Sequence, residues 1–142
     1  MNKIVFLTGA PASGKTTIAR MLAKDSPKSI HIQVDQLREM MVSGIHLPGG
    51  GGWSDEATRQ FQWERTTASF MANLYASNGA DAFIDDVCVP QFFPDQYAEL
   101  FKNPAVFRVL LMPSKDALIE RLKRRAGPYD SHMMAAIPLI YE

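Results

Sequence analysis

A single cysteine, Cys88, and no surplus of charge set the first limits on this chain. One thiol cannot close an internal disulfide or build a cysteine-based metal site, a usage that suits a reducing compartment. Lysine plus arginine number 15 and aspartate plus glutamate number 15. Proteins that blanket phosphates normally carry a basic surplus, so nothing in this balance points to a polyanionic partner. Long apolar runs are missing as well. The stretch 4–7 is too short for the core of a secretion signal and runs into glycines and a lysine. No stretch approaches the roughly 20 apolar residues that cross a bilayer. The expectation is a cytoplasmic protein with no membrane segment. Internal repeats are absent, and the four glycines at 49–52 are the one low-complexity tract.

What is present fits one domain over residues 1–142. The chain is 46% hydrophobic and 21% charged, ordinary values for a globular fold. Run 3–8 (KIVFLT) is short, apolar and rich in branched and aromatic residues, which predicts a strand buried on both faces. Ile18, Ala19, Met21 and Leu22 then recur at helical spacing until Asp25-Ser26-Pro27 stops them. Run 30–34 (IHIQV) alternates like a second strand, and Asp35 is placed to cap a helix through Leu37, Met40 and Met41. Residues 43–53 (SGIHLPGGGGW) break every period. From Ser54 a long helix is expected, with Phe61, Thr67, Ala68, Met71, Leu74 and Tyr75 inward. Runs 82–86 (AFIDD) and 106–112 (VFRVLLM) read as the third and fourth strands. Between them, 94–101 reads as a short helix with Pro94 near its first turn. Ser114 caps a further helix through 121–125, and 130–141 reads as a last one. Strands alternating with helices predict an α/β, three-layer domain with a parallel sheet of at least four strands.

The octapeptide Gly9-Ala10-Pro11-Ala12-Ser13-Gly14-Lys15-Thr16 matches G-x-x-x-x-G-K-[ST] without a mismatch, between a predicted strand and a predicted helix. Its glycines let successive N–H groups point into one concavity, and the helix that follows adds its positive end. Lys15 can reach the β- and γ-phosphates of a nucleoside triphosphate. The Thr16 hydroxyl can ligate Mg²⁺, and Thr17 extends the loop into the helix.

Phosphoryl transfer also needs metal support, an activated acceptor and positive charge over the migrating group. In a doubly wound sheet these groups gather at the C-terminal strand ends. Asp35 follows the second strand and can serve as general base, as helix cap, or as both. Asp85 and Asp86 close the third strand and point to opposite faces, so one of them, Asp85, is expected to hold Mg²⁺. Arg121, Arg124 and Arg125 can supply positive charge to the phosphoryl group, although cations are favoured at a helix C-terminus in any case. Arg108 lies inside the fourth strand and reads as structural. Trp53, at the exit of the glycine loop, suits either a gate over an acceptor or packing on the long helix. Arg38 and Arg59 are the nearby cations for that acceptor side.

With these residues in place, the chain resembles the zeta-toxin, chloramphenicol-phosphotransferase and polynucleotide-kinase group of P-loop kinases. The similarity rests on the GAPASGKTT loop, on Val34-Asp35 with Arg38, on Phe83-Ile84-Asp85-Asp86-Val87, and on Arg121-Leu122 with Arg124. It implies a P-loop NTPase fold, ATP (or GTP) with Mg²⁺, and transfer of the γ-phosphoryl group to an acceptor hydroxyl. It further implies Asp35 as the base for that hydroxyl, Arg38 as a substrate contact, and 121–125 as part of a lid. Such kinases continue with a fifth strand and a final helix. The chain ends within an apolar helical pattern, so the expectation is that this C-terminal strand is missing. A small-molecule acceptor is the leading reading. A 5′-hydroxyl polynucleotide kinase, a nucleotide-hydrolysing switch and a non-catalytic nucleotide binder are its competitors.

Overall fold

A computed structural model of the chain describes residues 2–48, 52–87, 95–125, 137 and 141. Within them the elements run β1 (Ile4–Gly9), α1 (Lys15–Asp25), β2 (Ser29–Gln33), α2 (Val34–Glu39), α3 (Asp55–Ser77), β3 (Asp81–Asp86), α4 (Ala98–Phe101), β4 (Val106–Leu111) and α5 (Lys115–Arg125). The four strands form one parallel sheet in the order β2-β3-β1-β4. Each crossover carries helix, as parallel pairing demands.

β1 is buried along its whole length, which is why its six residues need no polar face. Its side chains divide the core. Ile4 and Phe6 face one side with Ile32, Ile84 and the alanines of α3, whereas Val5 and Leu7 face the other with Ala19 and Phe83. The outcome is the expected three layers. A third cluster, Ala10 with Leu118, Leu122 and Ile137, seats α5 against the loop after β1.

Several expectations are corrected in detail. Val34 opens α2 rather than closing β2, and Gln33 occupies the N-cap position, so Asp35 is not the cap. Asp35 sits two residues past that cap, within the first turn, where a carboxylate still suits the positive helix end. α2 stops at Glu39, leaving Met40 largely exposed. Met21 and Leu22 of α1 are also exposed; Ile18, Ala19 and Ala23 do the packing.

The inner face of α3 holds Phe61, Ala68 and Met71 as expected, but not the other three. Thr67, Leu74 and Tyr75 point outward, while Ala57, Gln60, Phe61, Glu64, Arg65, Ala68, Ala72 and Ala76 are buried. Alanines let the helix lie close to the sheet, and close approach outweighs the size of Leu74 and Tyr75. Ser54 caps α3 as expected, accepting from the Ala57 amide at 3.1 Å, and Ser114 accepts from the Ala117 amide ahead of α5. α4 is shorter than 94–101, and Pro94 lies outside the described residues, as do 49–51 of the glycine loop and most of the expected helix 130–141. Arg108 lies over the Phe101 ring at 5.1 Å, the structural place expected of it.

Candidate active site

Parallel register brings distant residues to one sheet edge. Leu7 pairs with Asp85, Thr8 with Asp86, and Gln33 with Asp85, so the C-terminal ends of β1, β2 and β3 are level. The loop 9–16 leaves from the middle of that edge. Gly9 is required there by space, because a Cβ would lie 2.4 Å from the Leu111 carbonyl oxygen and 2.8 Å from Ser13 Oγ. Gly14 is required by conformation: its φ of 97° is left-handed, and it opens α1. Ala12 holds φ 62° without being glycine, a strained residue of the kind found in ligand-binding loops.

An open cleft of about 710 Å³ lies over this edge. It is lined by residues 11–18, by Asp35, Asp85, Asp86 and Val87, and by Arg121, Arg124 and Arg125 of α5. Of the residues expected in the site, most therefore meet in one place, although they arise from three strand ends and a helix. Gly9 and Ala10 form the buried root of the same loop.

Lys15 is buried, and its Nζ donates to the Ala10 carbonyl at 2.9 Å and to Ser13 Oγ at 3.5 Å. Burial pushes its pKa down, opposed by the carboxylates of Asp85, Asp35 and Asp86. Thr16 Oγ1 donates to Asp85 Oδ1 at 2.9 Å. The other oxygen of Asp85 meets His31 Nε2 on β2. Asp86 turns to the opposite face, where Arg65 Nε reaches it at 2.7 Å and the Tyr97 hydroxyl at 3.0 Å. The pair thus splits its work as the strand period dictates.

Thr16 and Asp85 supply hard oxygen donors at one point. Among the described residues no cluster of three or more histidine, cysteine or acidic side chains forms a cage. The Thr16 hydroxyl and the Asp85 carboxylate fit Mg²⁺, which keeps waters and is held by one or two carboxylates plus substrate phosphates.

Asp35 is 68% exposed at the cleft and lies 3.4 Å from Arg38. The surrounding protein pushes its pKa up by desolvation, while Arg38 pulls it down. With its tip so open to water, the shift is a direction and carries little energy. Arg121 donates to the carbonyls of Ala12 at 3.2 Å and Ser13 at 3.4 Å, hooking α5 onto the loop. Arg124 pairs with Glu120 on the exposed side of the same helix.

The residues expected on the acceptor side, Arg38, Trp53 and Arg59, are not part of this cleft lining. Trp53 packs edge-to-face on Phe61 of α3, with ring centroids 4.6 Å apart. Arg59 is 65% exposed and pairs with Glu56 one turn earlier. Arg38 sits beneath Asp35, bound to Glu64 and laid over the Phe61 ring at 3.8 Å. Sequence reasoning missed His31, Gln60, Glu64 and Arg65. His31 had a signal, since the alternation of β2 places it with Gln33 on the face opposite Ile32. Glu64 and Arg65 had a fainter one, their spacing from Ala57, Phe61, Ala68 and Ala72.

A family described as chloramphenicol phosphotransferase-like protein matches residues 2–135. Solved structures share the fold at low identity. A shikimate kinase from Bacteroides thetaiotaomicron is 23% identical with a TM-score of 0.63, over 97% of this chain and 76% of its own. A gluconokinase from Sinorhizobium meliloti 1021 is 19% identical with a TM-score of 0.62, over 99% and 75%. A chain of the Pnkp1/Rnl/Hen1 RNA repair complex is 18% identical with a TM-score of 0.67, over 99% of this chain but 44% of its own. No curated protein sequence matches. Among the described residues, no helix is long and apolar enough to cross a membrane.

Proposed function

Because the chain belongs to the chloramphenicol phosphotransferase-like family, we propose that it transfers the γ-phosphoryl group of ATP or GTP to a hydroxyl of a small-molecule acceptor. The observation that carries this reading is the convergence of Lys15, Asp35 and the Thr16–Asp85 pair on one cleft. Loop amides and Lys15 would grip the β- and γ-phosphates. Thr16 and Asp85 would hold Mg²⁺, which when bound spreads the charge of the phosphate oxygens. The acceptor oxygen attacks the γ-phosphorus, the bond to the bridging oxygen breaks, and the nucleoside diphosphate leaves. Asp35 takes the proton of the acceptor hydroxyl. Arg121, Arg124 and Arg125 supply positive charge from the α5 side, and Arg38, Trp53 and Arg59 flank the acceptor.

The test is a screen of hydroxyl-bearing metabolites, antibiotics, nucleosides and short oligonucleotides for acceptor-dependent release of ADP or GDP. A small alcohol should stimulate release, and Lys15→Ala should abolish it while the fold survives. Release at the full rate with no acceptor would instead make the chain a hydrolysing switch. Stimulation only by oligonucleotides, weakening steeply with salt, would make it a polynucleotide kinase.

A further inference from the structure

Arg38 is the cation nearest Asp35 on the acceptor side, yet each of its three nitrogens is already matched to a carboxylate. Nε lies 3.1 and 3.2 Å from the two oxygens of Glu64, Nη2 lies 2.9 Å from Glu64 Oε2, and Nη1 lies 3.4 Å from Asp35 Oδ1. One face of the guanidinium is laid on Phe61. The Glu64 side chain is 6% exposed and that of Arg38 17%, so this is a packed, forked pair and not a surface contact.

The consequence is a site whose nucleotide side, in the cleft, and acceptor side, largely outside the cleft lining, differ in sign. Lys15 and the arginines of α5 make the nucleotide end basic. On the acceptor side, the carboxylates of Asp35, Glu56 and Glu64 outnumber the guanidiniums of Arg38 and Arg59. An acceptor bearing a phosphate or carboxylate would meet the exposed Asp35 and two guanidiniums already paired with carboxylates. Nη1 keeps N–H groups that Glu64 does not use, but an anion reaching for them would compete with Asp35 beside it, and drawing Arg38 off Glu64 would strand a buried carboxylate at heavy cost. Selectivity of this kind comes from a built-in repulsion as much as from an attraction.

We propose that Glu64 sets the acceptor class: by occupying Arg38 it restricts the site to alcohols with no phosphate or carboxylate beside the reacting hydroxyl. The inference rests on the reading of Asp35 as the acceptor's base, and it makes Glu64 a specificity-determining residue 26 positions from Arg38 in sequence.

Binding tests it without any transfer step. The chain is preloaded with Mg²⁺ and a non-hydrolysable ATP analogue, then titrated calorimetrically with thymidine and with thymidine 3′-monophosphate. The wild-type chain should bind the monophosphate no more tightly than the nucleoside. Glu64→Gln should bind the monophosphate at least about tenfold more tightly than wild type does, and adding Arg38→Gln should erase the gain. Glu64→Asp, which keeps the charge but shortens its reach, guards against a folding failure and should show the same gain in weaker form. A wild-type preference for the monophosphate, no gain in a folded Glu64 variant, or a gain that survives loss of Arg38 would each overturn the proposal. Failure of the kinase reading itself looks different: acceptor-dependent turnover would be missing while these affinities behaved as stated.

Discussion

Thr16 Oγ1 donates to Asp85 Oδ1 at 2.9 Å, which ties the first turn of α1 to the end of β3 across 69 positions of sequence. His31 Nε2 contacts the second oxygen of the same carboxylate from β2. Asp85 is thereby held from both sides, by the two elements that flank it. Asp85→Asn should weaken Mg²⁺ binding in the presence of nucleotide. His31→Leu should do so as well, by about 10- to 100-fold, the usual cost of losing a group that orients a metal ligand. His31→Gln, which keeps a donor at similar reach, should recover much of the loss. Calorimetric Mg²⁺ titration of the nucleotide complex reads all three. An unchanged Mg²⁺ affinity in His31→Leu would reduce that histidine to packing.

Lys15 gives a pH signature. Burial lowers its pKa, so in the free protein it loses its proton at lower pH than an ordinary lysine. A triphosphate binds the charged form, and nucleotide affinity should therefore fall as pH rises, beginning below the usual lysine value of about 10.4. Lys15→Arg should remove that limb, because a guanidinium stays charged throughout. Fluorescent-nucleotide titration between neutral and alkaline pH checks it. A limb shared equally by the arginine variant would assign it elsewhere.

Stability should separate two arginines of the same helix. Arg65 and Asp86 have side chains 1% and 2% exposed, and Arg65 also donates to the Val87 carbonyl at 3.1 Å. Arg65→Leu strands a buried carboxylate and should cost about 3–5 kcal/mol in urea unfolding. Arg59 is exposed and its partner Glu56, one turn earlier, is half-buried, so Arg59→Ala should cost much less than Arg65→Leu. Similar losses for both would mean that the buried pair relaxes into water. If Arg59→Ala also leaves the acceptor KM unchanged, Arg59 drops out of the acceptor site.

Much of this site was legible because its parts are local. The loop 9–16 is contiguous, Asp85 stands near a strand end and Asp35 in the helical turn just after one, where a parallel sheet must place its chemistry. Side chains that cross space were not legible. Glu64 and Arg65 were not singled out, since nothing near them in sequence says that Arg38 and Asp86 await them. The expected inner face of α3 also followed Leu74 and Tyr75, while the structure buries Ala72 and Ala76 instead. Hydrophobic size set the expectation; the closeness of α3 to the sheet decided the outcome. The glycine loop could be recognised as irregular but not assigned a shape, and Trp53 proves to rest on Phe61.

Asp35→Asn tests the proposed base. The carboxylate is not the helix cap, so the amide removes proton-accepting capacity without removing a capping bond. Desolvation holds its pKa above the ordinary carboxylate value, with Arg38 opposing. Only the ionised form can accept the hydroxyl proton. Transfer should therefore fall as pH drops through that raised pKa, and the acid limb should sit above the usual value of about 3.9. The asparagine variant should lose the limb and be slower by ~10²–10⁴-fold in single turnover, while nucleotide affinity stays nearly unchanged. The two readouts protect against a trivial explanation, because a damaged fold would weaken the nucleotide too. A loss of less than about threefold, with the acid limb intact, would leave Asp35 as a charge at the start of α2 and send the search for the base elsewhere in the cleft.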